Sequence, residues 1–213
     1  ERNHRLAHPS KREGMSQFNS AIQFYREAYD YCKRNFADEI NWAEGLKFED
    51  VTQEDFFHQY IWVVMCSGMK EQIARKTYAA YVNHGYNSSF VRHPLKKRAL
   101  EKAYSEFPKW YAKIKTITDK KQLIEYLDSL PHIGPITKYH LAKNLGVDVA
   151  KPDVHLVRLA KRFHYPSPQA LCEAIAKETG QRVRTVDQVL WRYCNMNGSQ
   201  ILQTPNNRSM TPK

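Results

Sequence analysis

Apolar side chains recur along the chain at helical rather than strand spacing. Phe18, Ile22, Tyr25, Tyr29, Cys32 and Phe36 fall at steps of three and four, which predicts one amphipathic helix over residues 16–36. Phe57, Ile61 and Met65 form a second stripe, with Phe56, Tyr60 and Val64 beside it. Ahead of them, Thr52 and Asp55 have the spacing of a capping box and open a helix there. Ser67-Gly68-Met69-Lys70 breaks it, and a further helix covers residues 71–83. Residues 84–93, with Gly85, Asn87, Ser88 and Ser89, read as a loop. A helix begins near Lys96, and Pro108 interrupts or restarts it before Ile114. Thr118-Asp119 caps the helix that ends at Asp128 or Ser129. Residues 1–14 read as a loose basic arm, residues 41–45 as a connection and residues 201–213 as a polar tail. Pro166-Ser167-Pro168 ends one helix and starts another through Lys177, Gly180 marks a turn, and residues 185–194 form the last helix. Without an alternating strand pattern or a repeat, the fold class is all-α with about ten helices.

The densest punctuation lies in residues 130–163, LPHIGPITKYHLAKNLGVDVAKPDVHLVRLAKRF. Pro131-His132-Ile133-Gly134 turns the chain, and Pro135 sits where a helix begins, because a missing amide costs nothing there. That helix runs from Ile136 to Asn144 or Leu145 and stops at Gly146. Pro152 starts the next helix, which carries Asp153, His155 and Arg158. A hairpin of this kind exposes backbone N–H groups at a helix N-terminus, a ready site for phosphate. Asp153 falls in the first turn of its helix, where the dipole favours the charged carboxylate. A fixed carboxylate can stabilise an oxocarbenium-like sugar and orient an attacking water.

Composition narrows the partner. The chain has 213 residues, enough for one large domain or two small lobes, with 42% hydrophobic and 26% charged residues. Its formal net charge of +11 suits a polyanion. Cys32, Cys66, Cys172 and Cys194 make no CxxC pair, so no metal site, zinc knuckle or thiol redox motif is expected. Buried reduced thiols point to an intracellular protein. No apolar run approaches the length of a membrane span.

Leu130-Pro131-x-Ile133-Gly134, a helix, a short loop and then Pro152-Asp153-Val154-His155-x-x-Arg158 together resemble the helix-hairpin-helix DNA glycosylases that end their motif in an Asp. The resemblance implies two lobes with a cleft between them. Residues 50–149 would form the central lobe, with the hairpin at 130–135. Residues 1–49 and 150–213 would complete the second. Family members carry Gly where this chain has His132. Some hold an iron–sulfur cluster on four closely spaced C-terminal cysteines; only Cys172 and Cys194 lie beyond Asp153, so no cofactor is expected.

Residue by residue, the resemblance implies a monofunctional glycosylase acting as a monomer, inside the cell, on double-stranded DNA containing a damaged or modified base. Asp153 would be catalytic. His132, Ile133, Gly134, Thr137, Lys138 and His155 would hold backbone phosphates. Met69, with Lys70 and Gln72 in reserve, would fill the gap left by a flipped base. Ile136, His140, Asp187, Trp191 and Trp42 would line the base pocket, with Trp191 stacking and Asp187 one turn before it favouring a base edge rich in N–H donors. Bifunctional members carry a Lys at the position of Ile136. Isoleucine cannot form a Schiff base, and Lys138 is turned ~200° away on a helix. The alternatives are a DNA-binding hairpin module without catalysis, and a lyase or endonuclease using Lys138 or another amine.

Overall fold

The computed structural model describes the backbone of residues 11–201 and side chains from 19 to 198. Most of the expected arm (1–10) and tail (202–213) therefore lies outside the described residues. Among the described residues there are ten α-helices: α1 Lys11–Asn35, α2 Ala37–Gly45, α3 Gln53–Cys66, α4 Glu71–Asn83, α5 Pro94–Lys115, α6 Lys120–Asp128, α7 Thr137–Asn144, α8 Val154–Arg162, α9 Pro168–Thr179 and α10 Val183–Ile201. Short 3-10 turns at Phe48–Asp50 and Ser88–Phe90 complete it, and no strand occurs among the described residues.

Caps set most of the boundaries. Thr52 and Asp55 exchange both bonds of the capping box at the start of α3, and Asp119 accepts from the Gln122 amide to open α6. Ser167 caps α9, with Pro168 in its first turn and Gly180 left-handed at its end. Four expectations need correction. The helix α1 begins at Lys11, inside the segment read as an arm. Residues 41–45 belong to α2, where Phe36 opens a new helix after a one-residue break. Pro108 lies inside an unbroken α5; a helix tolerates proline when tertiary packing holds it, and here Trp110 and Ile114 just beyond are buried. The final helix is longer than 185–194 at both ends.

Two clusters of buried side chains form. One gathers Val51, the apolar faces of α3 and α5, and the buried residues of α6 and α7 up to Val149. The other joins α1 and α2 to α8, α9 and α10. Polar ties cross between them. Arg184, 0% exposed, sends its guanidinium to the carbonyls of Ala43 and, at 3.1 Å, Lys143, the last turns of α2 and α7. Arg182 reaches the carbonyls of Leu46 and, at 2.7 Å, Gly146. These cations satisfy helix-end carbonyls that have no partner within their own helices. Gly146 has φ +83°, and a Cβ there would lie 2.7 Å from the backbone of Lys47 and Phe48, so only glycine lets the two segments pass.

Candidate nucleic-acid and base-binding site

The hairpin is held from beneath. Tyr60, fully buried in α3, donates its hydroxyl to the Pro131 carbonyl at 2.6 Å. His132 has φ +59°, the left-handed conformation that glycine adopts without strain. The turn thus keeps the geometry of a glycine turn with a histidine in it. Burial first, then the nearby Lys96 ammonium and His93, hold the His132 imidazole below its usual pKa.

The two hairpin amides expected to face a phosphate are engaged within the hairpin itself. Ile133 N–H bonds the Leu130 carbonyl at 3.1 Å, and Gly134 N–H bonds the Thr137 hydroxyl at 2.7 Å. Gly134 does not have positive φ, and a Cβ there meets nothing within 4 Å. Helix α7 starts at Thr137, without a side-chain cap, and Lys138 N–H is taken by the Gly134 carbonyl. The N–H groups left open at this end of α7 are those of Ile136, Thr137 and Tyr139, which bond no described residue. The Lys138 ammonium pairs with Asp128 at 2.9 Å, which raises its pKa.

Asp153 is the N-cap of α8 rather than a first-turn residue. One oxygen, Oδ1, accepts from His155 N–H at 2.9 Å and Leu156 N–H at 3.0 Å. The turn before it is closed by Asp153 N–H on the Lys151 carbonyl at 2.8 Å, so Pro152 belongs to this turn and not to the helix. Oδ1 is thus engaged, while Oδ2 bonds no described residue. The His155 side chain packs inward, with Nδ1 buried and unpartnered.

A cleft of about 710 Å³ opens between the two clusters. Its walls come from α2, α3, α4, α7 and α10. Of the expected pocket residues, Trp42, His140 and Trp191 line it, and so does Met69 on the Ser67–Lys70 turn. That turn hangs on Lys96 of α5, only 4% exposed, whose ammonium donates to the carbonyls of Met65 at 2.9 Å and Ser67 at 2.6 Å. Lys70 is exposed beside it. Ile136 is not on the cleft wall; it is 49% exposed at the open end of α7.

Asp187 needs the larger correction. It is 1% exposed and turned into the protein, bonded to the Lys143 ammonium and, at 2.7 Å, to the Lys151 amide. Burial raises its carboxyl, and Lys143 works against that. The face of α10 that does reach the cleft is Gln188, Trp191, Arg192 and Asn195, an i, i+3, i+4, i+7 stripe. The same kind of stripe, Glu71, Arg75 and Tyr78, comes from α4.

Sequence reasoning missed these stripes, and with them the charge order of the wall. Glu39 takes both arms of Arg192, at 2.9 and 2.6 Å, and the Gln188 amide at 3.0 Å. Glu71 holds Arg75, which also stacks over Trp62 at 5.3 Å. Lys151 lines the cleft with its ammonium in no hydrogen bond or ion pair to a described residue. Burial first, then Lys143, lowers its pKa. His140 is held neutral, its pKa pushed well down by burial and by Lys151 and Lys143. Burial pushes the Cys66 thiol up to about 12. Among the described residues no cluster of His, Cys, Asp and Glu could hold a metal ion, and no helix is long and apolar enough to cross a membrane.

No family model and no curated protein sequence matches the chain. Two solved structures resemble it over most of its length. The 8-oxoguanine DNA glycosylase of Thermotoga maritima superposes with a TM-score of 0.65 at 17% identity, covering 82% of this chain and 95% of that one. The 8-oxoguanine glycosylase/lyase of Methanocaldococcus jannaschii, crystallised with a 15mer DNA containing 8-oxoguanine, superposes with a TM-score of 0.60 at 13% identity, covering 83% and 98%. The open end of α7, the capped Asp153 and the aromatic cleft therefore sit on the helical fold of DNA glycosylases, over nearly the full length of both neighbours.

Proposed function

We propose that the protein is a DNA glycosylase that hydrolyses the N-glycosidic bond of a flipped base in duplex DNA. The observation that carries this reading is Asp153, fixed through one oxygen at the start of α8 with the other unengaged. As the leaving base departs, the sugar gains oxocarbenium character, and a preoriented carboxylate stabilises that charge and orients the attacking water. The amides of Ile136 and Thr137 hold a backbone phosphate, Met69 fills the vacated stack, and Trp42, Trp191 and His140 receive the base. The chain is divided, in this reading, into a central lobe of residues 50–149 and a second lobe from the two ends.

Base release is monofunctional, because Ile136 has no amine and Lys138 is held by Asp128. A binding module without catalysis is the weaker reading. The departure at His132 argued for it, yet the residue keeps the left-handed turn, so the hairpin is not degraded. The test is single-turnover incubation with duplexes bearing different modified bases, 8-oxoguanine among them, scored separately for free base and for strand cleavage. Free base with an intact abasic strand supports the assignment. Binding to an abasic duplex with no base released from any substrate refutes it.

A further inference from the structure

The cleft contains more cation than it can balance. Its wall carries Arg75, Lys143, Lys151 and Arg192 against Glu39 and Glu71. Arg192 is neutralised by Glu39 and Arg75 by Glu71. Lys143 is neutralised by Asp187 from behind the wall. Lys151 alone among these has no ion pair with a described residue. The groups that face it do not supply one: His140 is neutral, Cys66 is a protonated thiol, Lys143 repels it, and Asp153 and Asp187 attract it without touching it. A partly buried ammonium without a counter-ion is costly, which is why burial lowers the Lys151 pKa, and an anionic ligand in contact with it would offset that cost.

The shape of the site says where that charge arrives. Lys151 shares the cleft with Trp42, Trp191 and His140, the side chains that suit a flat ring. The cleft, at about 710 Å³, is sized for a drug-like ligand and leaves room beyond a bare nucleobase. A backbone phosphate would be met instead at the open end of α7 or by exposed Lys70 on the rim.

We infer that the cleft is built for a base carrying an acidic substituent, a carboxylate or comparable anion, with Lys151 as its counter-charge. This rests on the glycosylase reading and names its substrate class. It reverses the expectation for Asp187: with that carboxylate turned inward and an ammonium in its place, the cleft favours acceptors and anions over N–H donors. A base with a neutral substituent of equal size fills the same space but leaves Lys151 unpaired.

Equilibrium binding tests this separately from catalysis. Duplexes carry 2′-fluoro nucleotides, which resist excision, with 5-carboxycytosine or 5-carboxyuracil and, as neutral partners, 5-hydroxymethylcytosine or 5-hydroxymethyluracil. The wild-type protein should prefer at least one carboxylated duplex over its neutral partner by about tenfold or more, the scale of a charge-assisted hydrogen bond. Lys151→Gln should abolish that ratio, and Lys151→Arg should restore much of it. Equal affinity for carboxylated and neutral partners in both pairs overturns the proposal. So does a uniform loss by Lys151→Gln on every duplex, an abasic one included, which would make Lys151 a phosphate contact. A borohydride-trapped adduct at Lys151 on abasic DNA would make it a nucleophile and overturns it too. If the ratio holds but natural 2′-deoxy substrates release no base, the specificity survives and the glycosylase reading fails.

Discussion

As the N-cap of α8, Asp153 accepts two amides through one oxygen and leaves the other free, so its structural and chemical roles separate by substitution. Asparagine keeps a capping oxygen and is among the best N-caps, whereas alanine costs about 0.5–2 kcal/mol. Asp153→Asn should therefore unfold at nearly the wild-type temperature and still bind DNA, while its excision rate falls about 10²–10³-fold. Asp153→Ala should lose both rate and stability. Thermal melts beside single-turnover rates check this; a destabilised Asp153→Asn would mean that the charge serves the cap.

Two further residues give opposite kinds of test. Gly134→Ala adds a methyl that meets nothing in the free protein, at a backbone conformation open to any residue. It should leave the melting temperature unchanged or slightly higher, yet weaken binding to all duplexes alike if DNA backbone packs there. Normal binding by this variant would remove the hairpin from the interface. His140 has a folded pKa well below its unfolded value. As pH falls through the ordinary histidine range near 6.5, the unfolded chain takes up a proton that the folded chain refuses, so stability present at pH 7 declines toward pH 6. His140→Gln should flatten that slope in denaturant titrations at the two pH values. Asp187, whose carboxyl burial raises, acts in the opposite sense as pH rises through the carboxylate range. An unchanged slope in His140→Gln would assign the decline to another group.

At the scale of elements, the ends of α2, α7 and α10 depend on two arginines and one glycine. Arg184→Met should cost about 3 kcal/mol, because it strips buried carbonyls of Ala43 and Lys143 of a charged donor. Gly146→Ala should cost more than about 2 kcal/mol, since its methyl meets backbone that cannot give way. Denaturant unfolding measures both, and a wild-type midpoint in either variant would show that these helix ends are held elsewhere. Such ties were not legible from residue types. Nothing local at Arg184 announces that its cation will meet carbonyls some 140 positions earlier. The helices themselves were legible, because caps and apolar stripes act within a few residues. The error at α10 has the same origin: Asp187 and Gln188 both stand about one turn before Trp191. Only the packing of α2 and α7 decides which of them faces the cleft. Phe36 offers no capping side chain, so the sequence does not mark the start of α2 or show that Glu39 and Trp42 share one face.

The whole molecule adds a strongly basic chain, net +11, to a fold shared with 8-oxoguanine glycosylases at 17% and 13% identity. At that distance the likeness shows the scaffold alone. A turn needing left-handed backbone is kept with His132 in it, while the wall of the cleft has its own order of Glu39, Arg192, Glu71, Arg75 and the unpaired Lys151. The most direct test of the central claim is a single-turnover comparison of the wild-type protein with Asp153→Asn. Both are run on a panel of duplexes bearing carboxylated, hydroxymethylated and oxidised bases, with free base detected by mass and nicking scored apart. The account predicts free base and an unbroken abasic strand from the wild-type protein on at least one duplex, and bound but intact substrate with Asp153→Asn. Equal release by the two proteins, or release by neither on any duplex, would contradict it.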